Sequence, residues 1–171
     1  MARLTERLGV NRYDADEYYR QALDAYRKGK VTQAQTLIGQ AMALLPSHAE
    51  YVAARGLMYL EEQAHIEARV DFEKALRLYP LEMLSHYGLG VIEYRENHYE
   101  AALAHLSEAY KIDPRRPETL YFLAIVYHRL TNHEAARRLM QAALEAFPAA
   151  DKRRADAQKW IKTFEGIIKA G

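Results

Sequence analysis

Four of the five prolines fall at 46, 80, 114 and 148, each 34 residues after the last. Each closes a similar stretch: "GQAMALLP", "EKALRLYP", "SEAYKIDP" and "QAALEAFP". In all four an alanine (Ala41, Ala75, Ala109, Ala143) stands five residues before the proline. A fixed period of this length, free of insertions, restricts the chain to an array of stacked units, because one such unit cannot bury its own apolar face.

Frames that start at 15, 49, 83 and 117 bring out the rest of the pattern. Small residues coincide at the eighth place (Ala22, Gly56, Gly90, Ala124) and alanine at the twentieth (Ala34, Ala68, Ala102, Ala136). Large apolar residues recur at the twenty-fourth place (Ile38, Phe72, Leu106, Met140). Each frame holds two apolar-periodic segments with a break at Gly29, Gln63, Asn97 or Thr131. The spacing predicts two helices per frame, about 16–28 and 31–44 in the first. The eighth and twentieth residues are expected to face each other where the two helices approach closely, and the twenty-seventh alanine to pack on the next frame. Proline then stops the second helix, since it lacks an N–H and drives the preceding residue out of the α region.

This pattern resembles the tetratricopeptide repeat family over about 15–148. The resemblance implies an all-α, right-handed solenoid of antiparallel helix pairs, with repeats at 15–48, 49–82, 83–116 and 117–150, after an N-terminal segment of 1–14. There are departures. The fourth place carries His86 in the third frame, the seventh carries Gln21 and Arg55 in the first two, and the eleventh carries Ala25 and Glu93 where the family has an aromatic. Residues 151–171 read as a further amphipathic helix with Asp151 as its N-cap and Trp160, Ile161, Phe164, Ile167 and Ile168 on one face. It is expected to cap the last repeat, with a docking helix for a partner as the alternative.

Chemistry is sparse. "GLGVIE" lacks the third glycine and the preceding strand of a dinucleotide site. The seven histidines form no evident metal set: His98 and His133 read as turn residues, and His105, which could share a face with His98, finds no acidic partner at ligand spacing. Glu61 and Glu62 read as a solvated pair. No nucleophile, base and orienting group come together, so no catalytic residue, cofactor or metal is expected. Lys and Arg (24) nearly balance Asp and Glu (23), which points to no polyanionic partner. Basic clusters at Arg115–Arg116, Arg137–Arg138 and Lys152–Arg153–Arg154 read as solvated faces, and nucleic acid is disfavoured. No signal-like segment, no apolar run of 18 residues and no cysteine are present. The expectation is a soluble, cytoplasmic protein without a membrane span.

The family geometry implies that the second, fifth, ninth, twelfth and thirteenth places of each frame point into a concave groove. The candidate site is therefore Tyr19, Leu23, Tyr26 and Arg27; Leu57 and Leu60; Leu84, Tyr87, Val91, Tyr94 and Arg95; and Tyr121, Ile125, His128 and Arg129. An apolar, tyrosine-rich groove with arginines at its rim suits an amphipathic or extended segment of a partner protein. The rings of Tyr19, Tyr87, Tyr94 and Tyr121 are expected to be largely open. The family's carboxylate clamp is disfavoured by Tyr19 and Leu23, and its asparagine ladder is excluded by Arg20, Ala54, Gly88 and Phe122 at the sixth place. The reading is a non-enzymatic scaffold, adaptor or chaperone-like interaction module. The rival is a self-assembling homo-oligomer in which a terminal segment, such as Leu4, Leu8 and Val10, fills a neighbour's groove.

Overall fold

The computed structural model describes the backbone of residues 2–170 and the side chains of 12–170. Within these it holds nine helices and no strand: α1 (Ala2–Arg27), α2 (Val31–Leu44), α3 (Ala49–Glu61), α4 (His65–Leu78), α5 (Met83–Arg95), α6 (Tyr99–Ile112), α7 (Pro117–Arg129), α8 (His133–Ala146) and α9 (Arg153–Ala170). The fold is an all-α helical-repeat solenoid. It divides into two compact units, Met1–Gly88 and Leu89–Gly171, with the boundary inside α5. The first helix begins at Ala2 and not near residue 16, so most of the expected N-terminal segment is part of α1. The side chains of Leu4, Leu8 and Val10 lie outside the described residues.

Each break between paired helices is the same turn. Gly29, Gln63, Asn97 and Thr131 all adopt left-handed backbone, with φ of 72°, 63°, 65° and 63°. The residue after each donates its N–H to a carbonyl five residues back: Lys30 to Ala25, Ala64 to Tyr59, His98 to Glu93 and Asn132 to Tyr127, all at 2.9 Å. These bonds satisfy helix-end carbonyls that would otherwise be orphaned. The prolines act as expected. Leu45, Tyr79, Asp113 and Phe147, each just before a proline, have ψ of 76°, 102°, 91° and 136° and end their helices.

In frames two and three the small eighth residue lies nearest to the twenty-fourth place. A Cβ at Gly56 would stand 2.8 Å from the Phe72 ring, and one at Gly90 would stand 2.6 Å from Leu106 Cγ. A repeat register shows which residues recur; the helix crossing decides which of them touch. Phe72 is fully buried and is approached from a second side by Gly88, where a Cβ would come within 2.2 Å. Arg55 and Asp71 explain each other in the same frame. Asp71 is buried, and its two carboxylate oxygens accept from Arg55 Nε and Nη2, both at 2.7 Å. The Asp71 hydrogen bonds hold the Arg55 guanidinium yet more firmly protonated. His86, unusual at the fourth place, bonds the Pro80 carbonyl through Nε2 at 3.0 Å.

Candidate functional site

In the first unit tyrosine hydroxyls tie α1 to α3. Tyr19 donates to Glu50 Oε1 at 3.0 Å, and its ring stands 4.9 Å from that of Tyr51. Tyr51 in turn donates to Asp16. Burial, then Glu50, pushes the Tyr19 phenol well above its ordinary pKa; burial, then Glu61, does the same at Tyr26. These phenols therefore stay protonated donors across the physiological range. Leu23, Leu57 and Leu84 are half-buried, and Arg27 is exposed.

In the second unit Tyr94 packs edge-on to Phe122 (6.0 Å between centroids) and near Tyr99 (6.1 Å). Arg129 lies over the Tyr99 ring at 6.0 Å and is exposed, as is Arg95. Tyr121 donates to Asp156 of α9, and burial, then that carboxylate, raises its pKa. The His128 and His133 Nδ1 atoms are 3.1 Å apart, and the His128 ring packs on Trp160 and Phe164 of α9, with centroids 5.5 and 5.1 Å away. Burial first, then His133 and Arg129, lowers the His128 pKa.

The helix α9 thus covers the last repeat. Ala157 and Phe164 are buried in one cluster with Ala124, Ile125, Ala136 and Met140. Asp151 stands two residues ahead of the helix, where Oδ1 accepts from the Arg153 N–H at 2.9 Å. The Arg153 side chain holds its carboxyl down at about 2. Arg153 also binds Glu118 at 3.0 Å and stacks over Phe147 at 4.5 Å, while Arg154 donates to the Phe147 carbonyl at 2.8 Å. Two of the three cations in the basic cluster of 152–154 are therefore fastened to the preceding repeat.

The expectation of open rings needs correction. Tyr87 is only 8% exposed, and Leu60, Val91 and Ile125 are also buried. No candidate residue is among the exposed large apolar side chains, which are instead Tyr13, Ile66, Val70, Leu78, Tyr79, Leu81, Tyr110 and Ile112. Within the first unit α1 meets α3 through Tyr19 and Tyr51, and within the second Tyr94 meets Phe122, so ring area at these places is spent on neighbouring helices before it can face a ligand. Tyr19, Tyr26, Tyr94 and Tyr121 remain half-buried and so partly open. Two features escaped the sequence reading. Ile66 and Val70 of α4, 80% and 57% exposed, stand where the other frames carry Thr32, Glu100, Glu134 and Thr36, Ala104, Arg138. That contrast was visible in the register. The turn after α5 also gathers Glu93, Glu96 and His98, with His98 Nδ1 2.9 Å from Glu93 Oε2.

Two tetratricopeptide repeat models match the chain, one over residues 19–80 and 67–117, the other over 93–161. The chain belongs to the tetratricopeptide repeat family. No curated protein sequence matches it. Among solved structures it is similar to PilF of Pseudomonas aeruginosa, at 19% identity and a TM-score of 0.77, over 94% of this chain and 71% of that one. It is similar to the APC/C hetero-tetramer Cut9–Hcn1, at 17% identity and a TM-score of 0.77; the match takes in 92% of this chain but only 31% of that one. A thermophilic tetratricopeptide repeat protein of Thermus thermophilus matches at 18% identity and a TM-score of 0.71, over 90% and 82% of the two chains. At these identities the likeness is one of fold. The family and fold make this repeat protein a protein–protein interaction scaffold in general terms. No helix among the described residues is long and apolar enough to cross a membrane.

Proposed function

We propose that this repeat protein is a non-enzymatic scaffold that holds an amphipathic segment of a partner polypeptide against the first-helix faces of its repeats. One observation carries the reading: half-open rings at Tyr19, Tyr26, Tyr94 and Tyr121 lie on the same helices as the exposed cations Arg27, Arg95 and Arg129. Hydroxyls tethered to carboxylates, as at Tyr19 and Tyr121, fix the rings in advance, so little side-chain freedom is lost when a ligand arrives. The partner's apolar side would meet the rings and leucines, and its acidic side the arginines. A pull-down with wild-type protein, Leu23→Ala/Arg27→Glu and Tyr94→Ala/Arg129→Glu tests this. The expected outcome is loss of a shared set of partners with an unchanged thermal midpoint. Full capture by both variants would remove this face from consideration.

A second reading, self-assembly, is favoured by Ile66 and Val70, an exposed apolar pair one helical turn apart on α4. Light scattering over a range of concentrations separates the two. A monomer throughout excludes assembly; an oligomer dispersed by Ile66→Glu/Val70→Glu supports it.

A further inference from the structure

The eleventh place of the frame holds Ala25, Tyr59, Glu93 and Tyr127. Where two frames use a tyrosine, the third uses a carboxylate whose side chain is only 12% exposed. Burying a carboxylate there is costly unless strong partners meet it. The α5–α6 turn brings an imidazole and a second carboxylate to it. Glu96 lies in the turn after α5, and His98 stands just before α6 with its ring turned back toward both acids. His98 Nδ1 is 2.9 Å from Glu93 Oε2 and 3.6 Å from Glu96 Oε2, and one donor atom from each of the three residues lies within 4.8 Å of the others.

The turn that holds them is braced. Asn97 takes the left-handed conformation, His98 N–H bonds the Glu93 carbonyl at 2.9 Å, and Tyr99 donates to Asn97 Oδ1 at 2.7 Å. No other frame repeats the donor set. The corresponding fourteenth and sixteenth places are Lys28 and Lys30, Glu62 and Ala64, and Leu130 and Asn132.

We propose that Glu93, Glu96 and His98 form a binding site for a divalent first-row transition cation, of which Zn²⁺ is the representative. Bonds of about 2.0–2.2 Å from one ion to imidazole nitrogen and carboxylate oxygen place neighbouring donor atoms about 3–3.5 Å apart. His98 Nδ1 stands 2.9 and 3.6 Å from the two carboxylates, and all three donor atoms lie within 4.8 Å of one another, so small side-chain rotations reach that spacing. One imidazole with two carboxylates suits Zn²⁺ or Mn²⁺. Ca²⁺ takes six or more oxygens, and Mg²⁺ keeps its waters, so both fit poorly. Three protein ligands leave coordination positions for water or for a side chain of a bound partner. The site is separate from the peptide-binding reading and stands or falls without it.

Calorimetric titration of Zn²⁺ into the chelator-treated full chain tests it, with Mg²⁺ titrated in parallel. Wild type is expected to bind one Zn²⁺ per chain and to gain thermal midpoint with it. His98→Ala and the near-isosteric Glu93→Gln should each bind at least about tenfold more weakly, and His133→Ala, at a close histidine pair elsewhere, should bind as wild type does. Circular dichroism checks that each variant is folded, and the exposed Glu96→Gln serves if either of the first two is not. The proposal is overturned if wild type shows no saturable Zn²⁺ heat, if Mg²⁺ binds equally well, if binding survives in His98→Ala and Glu93→Gln, or if it disappears in His133→Ala. Any of these would leave the cluster as an ion pair.

Discussion

Frames two and four close their helix pairs at the same places with opposite chemistry. Frame four carries Leu123, Ala124, Leu139 and Met140 there: apolar throughout, with Ala124 and the pliable Met140 in one buried cluster and Leu139 packed against it. Frame two uses Arg55, Gly56, Asp71 and Phe72: a two-pronged ion pair beside a rigid ring that tolerates no Cβ at either Gly56 or Gly88. The comparison teaches that the register constrains volume and contact but not polarity. A charge is admitted at an interior place when its counter-charge stands opposite and takes up its hydrogen bonds.

The ring is the hardest part of frame two to alter. Gly88→Leu should cost about 3 kcal/mol or more, since Phe72 is fully buried and has no free space to move into. Denaturant unfolding measures this, and an unchanged midpoint would sink the claim of close contact. Gly39, with nothing within 4 Å of its Cβ direction, is the control. Gly39→Ala in α2 should gain about 0.5–1 kcal/mol.

Asp71→Leu alone leaves the Arg55 guanidinium without its counter-charge, and about 3 kcal/mol should be lost. Adding Arg55→Leu gives frame two the leucines that frame four carries at both places and should restore wild-type stability or exceed it. If the double variant is no better than the single, the ion pair is not what sets the two frames apart.

Thr131 in frame four and Gln63 in frame two both occupy left-handed backbone, but only Thr131 is β-branched. Thr131→Gly should gain about 0.5–1 kcal/mol, and Gln63→Gly less. Equal gains would mean that branching is irrelevant at this turn.

The smallest effect is a pH dependence confined to frame four, whose twelfth place is His128 where frame two has Leu60. The folded-state pKa of His128 lies below its ordinary value near 6.5. The unfolded chain therefore binds the proton first. Stability contributed by neutral His128 is complete above that value and is lost as pH falls from it toward the lowered folded pKa. Thermal melts between pH 7.5 and 5 should show this decline in wild type and a shallower one in His128→Leu. Identical slopes would assign the decline to other groups.

Much of this was legible in the register. The prolines, the positions of the breaks, the second helix at 31–44 and the small residues at the contact all follow from sterics local to a few residues. What was not legible depended on neighbours in space. Arg55 stood out as a departure in the sequence while Asp71 passed unremarked, and only the crossing of α3 with α4 turns them into a pair. Tyr87 holds the same place as Tyr19 and Tyr121, yet it is buried while they are half-open, because its surroundings are set by other frames. The early start of α1 was missed because a frame boundary marks the repeat, not the helix. Glu93 and His98 were separately noted, but the backbone reversal at Asn97 was needed to bring them together.

The left-handed turns also bear on how the chain acquires its structure. Each is closed by hydrogen bonds spanning at most five residues, so a helix hairpin can nucleate in any frame before distant parts of the chain meet. The four starting points are not equal. Gly29 reaches its conformation freely, whereas the exposed Thr131 must be held there by the hydrogen bonds of the turn. Refolding should therefore protect the amide of Lys30 ahead of that of Asn132, an order that pulsed hydrogen exchange can read directly.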